Sequence, residues 1–223
     1  MAIASCIKSV PPVTTEAGLL MDITSEQTVK PDSQSILSMF DLSGDKKWNG
    51  ALFHYSEISD VSYNRISEAK INTADMWLSN ELERDKEIKK FNNAVIVILD
   101  KSQQHTEGKN NSSIYLPIAH ELNELTKSKA QRRVLLIYSD LMENTVDISF
   151  YNKKQFRLLT TNFESIQKQL EQLQVLKNLD GIEVNLIYQP TDSQSDKVFM
   201  IVSGFYKKLL EEKGAKITIS ANL

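Results

Sequence analysis

The sequence predicts a three-layer α/β/α domain with a doubly wound, mostly parallel central sheet and one antiparallel hairpin at its edge. Short apolar runs alternate along the chain with segments of helical periodicity, which is the pattern of strand–helix–strand crossovers. The clearest strand, residues 133–140, is continuous and apolar, as expected for a central parallel strand covered on both faces. A chain of 223 residues is long enough to bury one large core.

The first half of the chain supplies a central strand, a helix and a hairpin. Residues 19–21 form an apolar run that begins after Gly18, and we expect a buried strand at 19–22. A helix follows, with Asp32 or Ser33 as its cap. Two strands at 51–58 and 61–66 are expected to pair as a hairpin through Ser59 and Asp60.

The segment 75–103 admits two interpretations. Residues 94–99 taken alone are typical of a buried strand. Together with the preceding residues, however, large apolar side chains recur at three-four-three spacing with charged residues between them: Ile88, Phe91, Val95 and Ile98. This spacing is that of an amphipathic helix, and no Gly or Pro interrupts it. We therefore predict that 75–103 is mainly helical.

The second half continues the alternation. We expect a helix at 114–127, then the strand at 133–140, and then a helix that Thr161 and Glu164 begin as a capping box and that reaches about residue 179. The remaining predicted elements are a strand at 182–188, a helix opened by Ser193 or Ser195 and ended by Gly214, and a closing strand at 216–220.

Composition excludes several classes of function. A formal net charge of −3 provides no basic patch for nucleic acid. The longest apolar run is far shorter than the ~20 residues that cross a bilayer, so no transmembrane segment is expected. The seven glycines are not clustered into a phosphate-binding loop. One cysteine and three dispersed histidines provide no zinc cluster or disulfide framework.

The N-terminal residues 1–17 are interpreted as a tether that precedes a single domain at 18–223. Ile3, Ala4 and Ser5 before Cys6 fit the small-residue pattern in front of the modified cysteine of a bacterial lipoprotein. The charged and apolar parts of a signal peptide are missing before this pattern. If the true start lies upstream, we expect a lipid anchor at Cys6 and a location at the cell envelope, and we favour this alternative. If Met1 is the true start, we expect a cytoplasmic protein.

Oxygen-bearing side chains follow three of the predicted elements. Asp22, Thr24 and Glu26 alternate after the first strand, so in extended geometry they leave the same side of the chain. Ser112 opens a helix, and Asp140 ends the best strand. Loops at the carboxyl ends of parallel strands meet at the topological switch point of such a sheet. Carboxylates and hydroxyls brought together there would suit a hard cation.

With these positions assembled, the chain from about Gly18 to Ile219 resembles a von Willebrand factor A-type domain. That family carries a metal-ion-dependent adhesion site, written Asp-x-Ser/Thr-x-Ser after the first strand. A Thr follows at a middle helix, and an Asp in a Ser-Asp pair follows a later strand. Asp22 and Thr24 fit the first element, Ser112 fits the second with Ser in place of Thr, and Asp140 fits the third.

The resemblance implies a non-enzymatic module that binds another protein through Mg²⁺ or a similar cation. Glu26 departs from the family pattern, which has a hydroxyl at that position. Glu26 could ligate the cation itself and occupy the position that an acidic partner would use. Alternatively, the site is degenerate and empty.

Two other functions stay open. The chain could be a metal-free structural scaffold of the same fold. It could also be an Mg²⁺-dependent phosphatase of the haloacid dehalogenase type with Asp22 as nucleophile. Those enzymes have a second acid two residues after the first, where this chain has Thr24. Because no base, nucleophile and oxyanion donors combine into a reaction site, we expect no turnover.

Overall fold

A computed structural model of the protein describes residues 11–24, 29–58, 65–102 and 112–223. Within these residues the strands form one six-stranded sheet in the order β3-β2-β1-β4-β5-β6. All neighbouring strands are parallel except β2 and β3, which are antiparallel. The predicted α/β class is thereby confirmed. The strands are β1 (Thr14–Asp22), β2 (Gly50–Ile58), β3 (Arg65–Ile71), β4 (Arg132–Tyr138), β5 (Ile182–Ile187) and β6 (Lys216–Ser220).

Helices cover both faces of the sheet. The first two pack with one apolar cluster and the other four with a second cluster on the opposite face. In the part of the chain that the structure describes, no helix has the length and apolar character needed to span a membrane. The helices are α1 (Ser33–Ser38), α2 (Glu81–Ser102), α3 (Tyr115–Leu125), α4 (Lys153–Thr161), α5 (Phe163–Leu173) and α6 (Ser193–Glu211).

Strands β1 and β4 lie side by side at the centre of the sheet, as predicted. Their side chains alternate between the two apolar clusters because successive residues of a strand face opposite sides. Leu20 and Leu135 point to the cluster around α3 to α6, whereas Leu19 and Leu136 point to the cluster around α1 and α2. All four side chains are fully buried.

The first strand is longer than predicted. It begins at Thr14, so residues 14–17, which we expected in the tether, belong to the sheet. Thr14 pairs with Gly50, and Ala17 is fully buried. Gly18 lies inside the strand and does not bound it. A glycine is needed there because a side chain would collide with His54. Cys6 and its expected lipid anchor lie outside the described residues.

The helical interpretation of 75–103 is confirmed, since α2 runs from Glu81 to Ser102 and includes residues 94–99. Its buried face contains the side chains that the three-four-three spacing selected. Phe91, Val95 and Ile98 are each at most 8 % exposed. Charged side chains on the other face remain in water, as an amphipathic helix requires.

Several predicted boundaries are wrong. The second hairpin strand runs to Ile71, five residues beyond the predicted end, and residues 61–64 and the predicted turn lie outside the described residues. Thr161 does not cap a helix; it is the last residue of α4. The side chain of Asn162 accepts the hydrogen bond from the Ser165 N–H instead and caps α5. That helix ends at Leu173, six residues before the predicted end.

The strand order changes direction between β1 and β4. From β1 the chain continues to β2 on one side, whereas β4 lies on the other side of β1. Connections therefore leave the carboxyl ends of β1 and β4 in opposite directions. This divergence is the topological switch point at which open α/β sheets bind ligands.

Candidate functional site

Asp22 is the centre of the polar cluster at this switch point. It ends β1, and only 1 % of its surface is exposed. Its Oδ1 accepts hydrogen bonds from the Thr24 N–H at 2.9 Å and the Thr24 hydroxyl at 2.6 Å. Its Oδ2 accepts a hydrogen bond from the Ser139 hydroxyl at 2.7 Å. Donors from the loops that follow β1 and β4 thus fix the orientation of this carboxylate.

Ser112 joins the same cluster from the segment before α3. Its hydroxyl oxygen lies 3.0 Å from that of Thr24. The backbone of Ser112 is held by Asn144 through two hydrogen bonds, in which each N–H donates to the other residue's carbonyl at 3.0 and 2.8 Å. The segment after β4 therefore determines where the Ser112 side chain lies.

Asp140 comes directly after the Ser139 that binds Asp22. Its Oδ1 accepts a hydrogen bond from the Met142 N–H at 2.9 Å. Leu141, between them, has a φ of 62°, which is uncommon for a residue with a branched side chain and turns the backbone sharply. Burial raises the pKa of Asp140 to about 6; the Met142 hydrogen bond opposes this rise, and the negative charge of Asp22 adds to it.

Glu143 is a functional candidate that the sequence reasoning missed. It is fully buried, and its Oε2 accepts hydrogen bonds from the N–H groups of Ile114 at 3.1 Å and Tyr115 at 2.7 Å. Helix α3 has no side-chain cap of its own at Ile114, so Glu143 supplies the missing acceptor. An available signal was an acid three residues after Asp140, but its partner could not be inferred from spacing.

Burial also raises the pKa of Glu143, to about 7. The two backbone hydrogen bonds lower this value, and the charge of Asp22 raises it. The Tyr206 hydroxyl is close enough to interact with the Glu143 carboxylate, but neither it nor Glu143 Oε1 makes a hydrogen bond within the described structure. Carboxylates concentrated in a poorly solvated site favour either a proton or a cation.

Two tyrosines border the cluster. Tyr151 is 63 % exposed; its partial burial raises its pKa to about 12, and the charges of Asp140 and Asp22 contribute. Tyr188 is buried, and its pKa is raised first by burial and then by the charges of Asp140 and Asp192. Tyr151 thus presents an exposed aromatic side chain near the cluster.

The structure joins three of the five predicted ligands directly, and the fourth, Asp140, follows the Ser139 that binds Asp22. Asp22, Thr24 and Ser112 are joined by hydrogen-bond distances, and Asp140 is coupled to Asp22 through charge. Glu26 lies outside the described residues. Two carboxylates and two hydroxyls form an all-oxygen donor set of the kind that Mg²⁺ prefers. In the described ranges no three His, Cys, Asp or Glu side chains form a metal-binding group, so the hydroxyls would have to take part.

Comparisons with known proteins bear on the fold. Neither the known protein families nor the curated proteins contain a match to this chain. Among solved structures, the chain is similar to a point mutant of the PilB minor pilin from Streptococcus sanguinis, with a TM-score of 0.50 and 11 % sequence identity. The similarity covers 95 % of this chain but 58 % of the pilin, so the chain spans little more than half of that protein. At this identity the similarity supports the Rossmann-like α/β fold alone.

Proposed function

We propose that this protein is an interaction module of the von Willebrand factor A type that binds a partner protein through Mg²⁺ or a similar cation. Asp22, Thr24, Ser112 and Asp140 would hold the cation. The observation that supports the proposal is the contact of three of these residues at the switch point, where the Asp22 carboxylate accepts a hydrogen bond from the Thr24 hydroxyl and the Thr24 hydroxyl lies 3.0 Å from that of Ser112.

The chain's own residues prepare this site in two ways. The Ser139 hydroxyl and the Met142 N–H orient the carboxylates of Asp22 and Asp140, which otherwise repel each other. Asn144 fixes the backbone of Ser112, so the hydroxyls need little reorganisation. A bound cation would supply positive charge that offsets the carboxylates and attracts an acidic side chain of the partner.

The first test is thermal unfolding in excess Mg²⁺ and in EDTA. A ligand that binds only the folded state stabilises it by about 2.7 kcal/mol at a hundred times its dissociation constant. For a domain of this size that corresponds to a rise in Tm of about 5–10 °C. An equal Tm in both buffers would favour the metal-free scaffold over the proposal.

A hydrolysis assay with the same protein separates the binding proposal from the phosphatase alternative. Both oxygens of Asp22 already accept hydrogen bonds, and the carboxylate is almost fully buried, whereas a nucleophile needs an oxygen that faces the phosphorus atom. We therefore expect no hydrolysis of a generic phosphate ester in the presence of Mg²⁺. Robust hydrolysis that is lost in Asp22→Asn would replace the binding proposal with the phosphatase.

A further inference from the structure

Four large apolar side chains project into solvent from the segment between β3 and the first turn of α2. Their exposed fractions are 43 % for Met76, 82 % for Trp77, 88 % for Leu78 and 72 % for Leu82. We call these four residues the apolar tip. A single exposed apolar side chain is ordinary, but four within seven residues form a patch that needs a physical explanation.

The backbone presents the apolar tip in a defined turn. The carboxylate of Asp75 accepts a hydrogen bond from the Trp77 N–H at 2.7 Å, and its carbonyl accepts one from the Ser79 N–H at 3.0 Å. The Asn80 side chain accepts a hydrogen bond from the Leu82 N–H at 2.9 Å. On the other side, the Ala74 N–H donates to the Trp48 carbonyl at 2.9 Å. These bonds hold the turn while its apolar side chains face water.

The apolar tip and the candidate cation site lie at opposite ends of the sheet. Strand β3 ends at Ile71, which pairs with Ala51 near the start of β2, and Gly50 pairs with Thr14 at the start of β1. Asp22 is at the far end of β1. At ~3.3 Å per residue the two ends of β1 are about 26 Å apart. The chain that precedes Thr14, which includes Cys6, therefore joins the domain at the end that carries the apolar tip.

We infer that the apolar tip inserts into the surface of a lipid bilayer and orients the domain with its cation site away from the membrane. Trp is favoured at the boundary between lipid and water, and Leu and Met gain by entering the acyl region. The exposed part of four such side chains amounts to no more than roughly 600 Å². This area is below the ~800 Å² per partner that a stable protein interface buries.

Charge near the apolar tip indicates which lipids it should bind. Asp75, Glu81 and Glu83 flank it on the same segment, and the Lys47 ammonium is paired with Glu81. These acids would repel an anionic surface. Insertion should therefore occur on zwitterionic phosphatidylcholine and should not strengthen when anionic lipid is added. A patch this small binds reversibly, in the manner of a single weak membrane signal.

The two tryptophans allow a direct test with the full chain. Trp48 is 8 % exposed and Trp77 is 82 % exposed, so the variant Trp48→Phe leaves one fluorescent reporter at the apolar tip. On titration with phosphatidylcholine vesicles we expect a blue shift of Trp77 emission and co-sedimentation with the vesicles. Leu78→Ser combined with Leu82→Ser should lower the partition coefficient at least about tenfold. Val146→Ser, which removes a 97 % exposed apolar side chain from the loop after β4, should leave it unchanged.

Three results would overturn the inference. The first is Trp77 emission that stays unchanged at saturating lipid, and the second is equal partitioning of wild type and the Leu78/Leu82 variant. The third is concentration-dependent dimerisation in sedimentation that the same variant abolishes, because the apolar tip would then be a contact between two copies. Circular dichroism of each variant checks that it is folded. None of these outcomes depends on whether the cation site binds Mg²⁺.

Discussion

Replacing Asp140 by Asn tests the electrostatics of the candidate site most directly. The amide oxygen can still accept the hydrogen bond from the Met142 N–H, so the substitution removes charge while retaining shape and this contact. A carboxyl group whose pKa is raised in the folded state destabilises the fold progressively as the pH rises from its unfolded pKa to its folded pKa. For Asp140, the penalty is absent below about pH 4 and complete above about pH 6.

The size of the effect follows from the pKa. The pKa of Asp140 is about 6, against an ordinary value of 3.8. This rise corresponds to a free-energy difference of about 3 kcal/mol in favour of the neutral form. Because Asp140 is partly exposed, screening by solvent reduces this to on the order of 2 kcal/mol. In EDTA at pH 7.5, Asp140→Asn should therefore raise Tm by about 4–8 °C. Near pH 4 the two proteins should melt together.

Addition of Mg²⁺ should reverse this order. The wild type gains stability by binding the cation, whereas the variant lacks a charged ligand and should gain much less. Differential scanning calorimetry measures the Tm of both proteins under four conditions, at pH 4 and 7.5, each with Mg²⁺ and with EDTA. Asp147→Asn on the same loop is the matched control, since its exposed carboxylate lies outside the cluster and its loss should change neither response.

Two results would contradict these expectations. If Asp140→Asn does not raise Tm in EDTA at pH 7.5, the carboxylate is not destabilised by burial and by Asp22. If Mg²⁺ raises the Tm of the wild type and of Asp140→Asn equally, the cation binds elsewhere. The first result would refute the electrostatic account, and the second would refute the proposed ligand.

Three further predictions address the open position, the buried acid and the core. Glu26→Ser introduces the hydroxyl that von Willebrand factor A-type sites carry at this position and should improve Mg²⁺-dependent binding of an acidic peptide in calorimetric titration. Unchanged binding would mean that Glu26 does not occupy the position that an acidic partner would use. Glu143→Gln should raise Tm at pH 8 more than at pH 6, because the carboxyl with a pKa of about 7 is charged only at the higher pH; equal shifts would contradict that pKa. Gly18→Ala places a Cβ 2.5 Å from His54 Nε2 and should cost about 1–3 kcal/mol in denaturant unfolding. Its control Gly204→Ala, in a helix with open space around it, should stabilise by up to about 1 kcal/mol, and equal effects would rule out the steric explanation.

The fold was predictable where a local pattern and the tertiary packing agree. The spacing of Phe91, Val95 and Ile98 identified α2 because the same residues that define its period form its buried face. The predictions failed where neighbouring residues compete for one role. Thr161 and Asn162 can both cap a helix, and only the end of α4 at Thr161 decides that Asn162 caps α5.

The candidate site was likewise predictable in part. Asp22, Thr24, Ser112 and Asp140 could be grouped in advance because the carboxyl ends of parallel strands must lie at one edge of the sheet. Glu143 could not be placed, because its contact with the start of α3 requires the sharp turn at Leu141. Nothing in the local sequence predicts a positive φ at a leucine, so this contact depends on tertiary structure.

The loop after β4 connects the parts of the chain that form the candidate site. Through Asp140 it interacts with the end of β1, and through Glu143 and Asn144 it holds the start of α3 and the backbone of Ser112. A displacement of this loop would therefore move Asp140 and Ser112 together, relative to Asp22. Because these ligands come from three separated parts of the chain, they can meet only after the central strands have paired. Stabilisation by Mg²⁺ would consequently report on folding of the entire sheet, whereas capture of an acidic partner would depend in addition on the position that Glu26 could fill.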